Sequence, residues 1–132
     1  MSLFVDTSAF FAVLDGSDLH HPKARQIWKN LIESSEDLIS TSYVLVETFA
    51  LVQSRLGMEA VRCFDDDILP VVRVHWVSES DHRASVSALL TAGRRQLSLV
   101  DCVSFTVMRQ LQIKRAFAFD TDFVDQGFET LD

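Results

Sequence analysis

From Met1 to Leu14 the chain carries one charge, Asp6, placed where an apolar strand gives way to a helix. Leu3, Phe4 and Val5 make a run of strand length, and Ala9 to Leu14 follow in a helical pattern. Such a run, leading straight into a helix, reads as the first strand of a parallel sheet, buried on both faces. In open α/β sheets ligands bind beyond the carboxyl ends of the strands, so Asp6, followed by the small hydroxyls Thr7 and Ser8, stands where a site is built. Asp is also a common N-cap, and that role for Asp6 stays open beside the functional one.

The later chain alternates in the same way. Pro22 suits the first turn of a helix to about Ser34, with Ala24, Ile27, Trp28, Leu31 and Ile32 on one face. His20 and His21 at its entrance read as solvated cap residues and take no assigned role. Leu38–Ser40 is a short strand, Thr41 or Ser42 caps a helix over Tyr43–Leu56, and Gly57 ends it. Met58 to Asp66 is a further helix ending in an acidic run, and Val71–Val77 is a third strand by its β-branched and aromatic content. Ser78 caps a helix closed by Gly93, and Ser98 caps the next. Arg115–Phe119 is a fourth strand and Phe128–Leu131 a short fifth. His75 and His82, each isolated, read as ordinary core or surface histidines.

Three more acids share the isolation of Asp6. Glu47 is the only charge from Thr41 to Ser54, in a helix so apolar that it reads as mostly buried; pairing with Arg55 is the structural alternative. Asp101 is the only charge between Arg95 and Arg109, and a capping box with Ser98 is its alternative, although Asp is shorter than the usual Glu or Gln there. Asp120 closes the fourth strand, with Asp122 two residues on. Carboxylates gathered at one sheet edge repel each other unless a cation compensates them, and an all-oxygen donor set suits Mg²⁺ or Mn²⁺ rather than zinc.

Composition narrows the class. The 132 residues, 48% hydrophobic and 23% charged with 4 Gly and 2 Pro, suit one globular domain over residues 1–132. No apolar run reaches the roughly 18 residues of a membrane span and no signal segment precedes Leu3, so a soluble cytoplasmic protein without membrane contact is expected. The two cysteines, Cys63 and Cys102, lack metal-site spacing and are expected to be reduced. A net charge of -7 argues against a uniformly basic nucleic-acid coat but allows a local basic face.

Together, VDTSAFFAVLD, ETFALVQSRLG, LSLVDCVSFTVMR and AFAFDTDF, in this order and spacing, resemble the PIN domain family, in particular the toxin ribonucleases of VapBC toxin–antitoxin modules. The resemblance covers essentially the whole chain. It implies a three-layer α/β/α sandwich with a mostly parallel central sheet, and a Mg²⁺ or Mn²⁺ site of Asp6, Glu47, Asp101 and Asp120. Asp122 is a neighbour able to substitute for Asp120. It further implies metal-dependent endonucleolytic hydrolysis of RNA leaving a 5′-phosphate, a homodimer, and inhibition by an antitoxin segment. Arg94, Arg95, Arg109, Lys114 and Arg115 flank the two later acids in sequence and either contact RNA backbone or serve as helix-end charges.

Other classes that begin with a strand and an acid fit less well. A phosphatase forming an aspartyl-phosphate needs a second Asp where Ser8 stands, and a receiver domain needs a phosphoacceptor Asp where the third strand ends in Val77 and Ser78. A PIN-fold protein with an RNA-binding or housekeeping processing role, without toxicity, is the remaining alternative.

Overall fold

The unbroken apolarity of Leu3, Phe4 and Val5 has a direct structural counterpart: all three are fully buried. In the computed structural model, which describes residues Met1–Asp132, strand β1 (Ser2–Val5) is the middle of a five-stranded sheet. Its companions are β2 (Asp37–Thr41), β3 (Val72–His75), β4 (Arg115–Phe117) and β5 (Glu129–Leu131). The order is β3-β2-β1-β4-β5, and every pairing is parallel, where sequence reasoning expected a mostly parallel sheet. The chain lays down β1, β2 and β3 in one direction, then crosses to the other side of β1 for β4 and β5. The order therefore reverses between β1 and β4, which makes the crevice beyond their carboxyl ends the natural ligand position.

Seven helices cover the sheet: α1 (Thr7–Leu14), α2 (His21–Glu33), α3 (Ser42–Leu56), α4 (Met58–Cys63), α5 (Glu79–Ala92), α6 (Leu99–Gln110) and α7 (Asp122–Asp125). Right-handed crossovers place the helices of the β1–β3 half on one face and those between β3 and β4 on the other. Each face has its own aromatic cluster, Phe10 with Trp28 and Phe64 on one side, Phe4 and Phe105 with Phe123 on the other. The result is the α/β/α sandwich.

Thr41, not Ser42, caps α3: its hydroxyl accepts from the Val44 N–H at 3.1 Å, while Ser42 Oγ accepts from Val77 and ties β3 to the helix. Gly57 and Gly93 end α3 and α5 at φ values of 91° and 61°, a region where other residues are strained. The helix expected over Met58–Asp66 is α-helical only to Cys63; Phe64–Ile68 widens to a π turn closed by the Leu69 N–H on Phe64 O. That widening brings both Phe64 and Ile68 into the core while the three aspartates between them stay exposed. Strands β3 and β4 are shorter than their apolar runs. The ladder of β4 stops at Phe117 because the Phe119 N–H turns to the Ser8 hydroxyl.

One expectation is corrected. Helix α3 is not mostly buried: Val44, Thr48 and Val52 are, but Val46 is 68% exposed and Ala50 is exposed with it. The absence of charge on its outer face is therefore not explained by the core of one chain.

Candidate metal and active centre

Asp6 lies just beyond β1 and Asp120 just beyond β4, so the strand-order reversal brings together two acids far apart in sequence. The Asp6 N–H still bonds to Phe117 O at 3.1 Å, extending the β1–β4 contact to the edge of the site. Asp101, in the first turn of α6, comes in from the other face. Asp101, Asp120 and Asp122 each offer a carboxylate oxygen within 4.8 Å of the others. Asp6 is coupled electrostatically to Asp101 and Asp120, and Glu47 on α3, half-buried, to Asp101. Of the four acids singled out in the sequence, Asp101 and Asp120 thus share one cluster with Asp122, while Asp6 and Glu47 lie outside that set, near enough for their charges to be felt in it.

The capping and functional roles prove compatible, because each buried acid uses one oxygen to hold itself and leaves the other uncommitted. Asp6 caps α1 with Oδ2, which accepts from Ser8 N–H at 3.2 Å and Ser8 Oγ at 2.7 Å. Asp101 completes a capping box: its Oδ2 accepts from Ser98 N–H at 3.3 Å while its own N–H donates to Ser98 Oγ at 3.0 Å. Asp120 Oδ1 accepts from Asp122 N–H at 2.9 Å. The other oxygens of these three carboxylates have no protein donor, and none is sealed in, since Arg115 Nε is the only buried side-chain polar atom without a partner.

Electrostatics make this arrangement costly as bare anions. Burial pushes the Asp6 carboxyl up to about 7, against the Ser8 hydrogen bonds, with Asp101 and Asp120 adding to the rise. Burial, then the neighbouring Asp120 and Glu47, push Asp101 up to about 6. Asp120 is raised as well, first by burial and then by Asp122 and Asp125. Only one cation answers this charge directly, Arg94, whose guanidinium lies 3.2 Å from Asp122 Oδ1. Uncommitted carboxylate oxygens, open to solvent and short of positive charge, fit a divalent cation held by oxygen donors.

Ser8 is the hinge of the site. Its hydroxyl donates to Asp6 and accepts from the Phe119 N–H at 3.0 Å, linking the end of β1 to the segment that carries Asp120. Thr7 turns the other way, 3.1 Å from the Thr48 hydroxyl, fastening α1 to α3.

The five cations that flank the later acids in sequence do not all reach them. Arg94 and Arg95 precede α6 on the acidic side. Arg109 belongs to the last turn of α6, where it donates to Gln126 Oε1 at 2.9 Å, and Arg115 opens β4 and pairs with Glu36 at 3.1 Å. Lys114, beside Arg115, shares that opposite edge, because the amino end of a strand is as far from its carboxyl end as the sheet allows. A broad cleft lined by Arg109, Ile113, Lys114 and Phe128 lies there too, away from the acids. Arg55 does not pair with Glu47 but sits over the Phe11 ring.

The histidines divide. His75 lies 3.3 Å from Asp81, His82 bonds to the Tyr43 hydroxyl, and His21 Nδ1 reaches Ala12 O at 2.8 Å. His20 instead stacks on Phe119, the residue before Asp120. Both cysteines are free, and no helix is long and apolar enough to cross a membrane.

The sequence and the fold both have counterparts among known proteins. The model of the PIN domain family matches residues 3–129. The chain is 36% identical over 128 residues to the 23S rRNA-specific endonuclease VapC20 of Mycobacterium tuberculosis, covering 96% of this chain and 95% of that protein. The crystal structure of VapC20, a sarcin-ricin loop cleaving toxin, superposes with a TM-score of 0.84 at 33% identity, covering 96% and 95% of the two chains. VapBC2 from Rickettsia felis, solved with a DNA fragment from its promoter, shares the fold at a TM-score of 0.72 and 12% identity, covering 98% and 97%.

Proposed function

We infer, because this chain belongs to the PIN domain family, that it is a metal-dependent endoribonuclease and the toxin of a type II toxin–antitoxin pair. The observation that carries the reading is the cluster of Asp101, Asp120 and Asp122 carboxylates at the point where strand order reverses, with Asp6 in electrostatic reach of it. Asp6 and Asp101 would hold Mg²⁺ or Mn²⁺, and Asp120 and Glu47 would complete or orient the set, with Asp122 the neighbour able to take the place of Asp120. When bound, such a cation supplies acidification of an attacking water and neutralises charge on the phosphate and leaving oxygen. The protein's part is placement: the Ser8 bridge and the Ser98 capping box fix the carboxylates before substrate arrives, and no side-chain nucleophile is required. Arg94 and Arg95 are the cations placed to meet the RNA backbone.

The substrate follows from the likeness to VapC20: an exposed RNA loop of 23S rRNA, of the sarcin-ricin kind, cut to leave a 5′-phosphate and a 3′-hydroxyl. An open, acid-lined edge suits a macromolecular loop better than a small molecule. The exposed apolar strip of Val46 and Ala50 on α3 supports a homodimer, and the partner protein is an antitoxin whose Arg or Lys reaches the acids.

The test is cleavage of 23S rRNA by purified protein with Mg²⁺ or Mn²⁺, with EDTA, and with Asp101→Asn. Metal-dependent cuts at a discrete loop, lost in the variant while its circular dichroism is unchanged, are expected. Wild-type turnover by Asp101→Asn would refute the site.

A further inference from the structure

Resting on the nuclease reading above, we propose that His20 is a substrate-positioning residue, its open ring face stacking on a nucleobase of the RNA beside the scissile phosphate. Topology places it at the right edge. Helix α2 delivers the chain to the amino end of β2, so its first residues lie toward the carboxyl edge, where the acids are. Contact confirms the position: the imidazole lies on the Phe119 ring with centroids 4.3 Å apart and planes 11° from parallel. Phe119 immediately precedes Asp120, and its N–H is linked through Ser8 Oγ to Asp6.

The stack is held in place from both sides. The His20 N–H donates to Asp18 Oδ1 at 2.8 Å, and its carbonyl accepts from Ala24 N–H at 2.8 Å. The next residue, His21, anchors the loop to α1 through Ala12 O. Only the His20 side chain is left uncommitted: it is exposed, its ring nitrogens have no partner in the chain, and one face of the ring is covered by Phe119. Leu19 beside it is 90% exposed. Two adjacent histidines therefore do different work, one fastening the loop and the other presenting an aromatic plane to solvent.

A nuclease acting on an RNA loop must accommodate bases that are splayed out once the backbone reaches the acids, and unstacked bases are taken up on aromatic side chains. Such stacking tolerates any base because every base has a π face. An exposed ring stacked on Phe119, the residue before Asp120, is suited to that role.

The experiment measures KM and kcat for the full-length chain on a 23S rRNA loop oligonucleotide with Mn²⁺, for wild type, His20→Ala, His20→Phe and His20→Lys, with melting temperatures alongside. His20→Ala is expected to raise KM roughly tenfold, with kcat within about twofold and melting nearly unchanged. His20→Phe should restore KM and His20→Lys should not. A His20→Ala KM equal to wild type, or failure of His20→Phe to restore it, overturns the proposal while leaving the nuclease intact; rescue by His20→Lys alone overturns it in favour of a phosphate contact. Absence of any wild-type cleavage removes the nuclease reading and this proposal together.

Discussion

Replacing Asp6 by Asn should stabilise the metal-free protein while abolishing its activity, and the size of the gain should depend on pH. The Asp6 carboxyl moves from 3.8 to about 7 on folding, chiefly by burial. Between those values the folded state holds a proton that the unfolded state has released, so the stability of the metal-free wild type falls as pH rises through the window. Above it, the penalty for a buried Asp6 anion is complete, about 4 kcal/mol at 1.36 kcal/mol per decade of proton affinity. Asparagine has no such penalty and caps a helix as well as Asp does. Its oxygen can keep both Ser8 hydrogen bonds, and its amide then faces Asp101 and Asp120 instead of adding a third anion. Allowing half the ceiling for imperfect relaxation, a gain of about 2 kcal/mol corresponds to roughly 7 °C in a chain of this length. Melting curves in EDTA at pH 8 and pH 4 check the reasoning. The variant should melt higher at pH 8 and alongside wild type at pH 4. A variant that melts lower at pH 8, or a difference that ignores pH, would refute the electrostatic account.

Metal should reverse that ranking: at a hundredfold excess over Kd, Mg²⁺ or Mn²⁺ should stabilise wild type by about 2.7 kcal/mol and Asp6→Asn far less, which calorimetry reads directly. Ser8→Ala should cost about 1–3 kcal/mol by leaving the Phe119 N–H without its acceptor, and should lower cleavage more than it lowers melting, measured on one preparation. Thr41→Ala should remove about 1 kcal/mol through loss of the α3 cap and leave cleavage per folded molecule unchanged, as denaturant titration with parallel assay would show. Expression of the chain alone should arrest growth, co-expression of a small partner should relieve the arrest, and Asp6→Asn should be harmless yet still co-purify with that partner.

The acids were legible in the sequence because charge is costly inside apolar runs: Asp6, Glu47, Asp101 and Asp120 each interrupt one, and the fold clusters Asp101 and Asp120 with Asp122, with Asp6 and Glu47 in electrostatic reach. Asp6 and Asp101 do cap helices, and atomic detail shows that this leaves the proposed site role open, since a carboxylate has two oxygens and each cap uses one. The outer face of α3 was misjudged because a missing charge marks burial without saying in what; Val46 and Ala50 show that one chain does not supply the cover. Arg109, Lys114 and Arg115 looked close to the acids because they are close in sequence, yet α6 carries Arg109 to its far end and β4 has to cross the sheet before reaching Asp120. His20 was hidden by His21, since neighbouring identical residues give no hint that one is tied to the backbone of α1 and the other is stacked on an aromatic ring.

The central place of β1 also sets what completes the site. Ser8 and Phe119, whose contact joins the two halves of the site, are 111 residues apart. Until β4 docks, Asp6, Glu47 and Asp101 have their elements, but one flank of β1 is bare and the segment carrying Asp120 and Asp122 is unattached. The acid cluster is therefore complete only when β4 lies beside β1 and the Ser8–Phe119 bond is made.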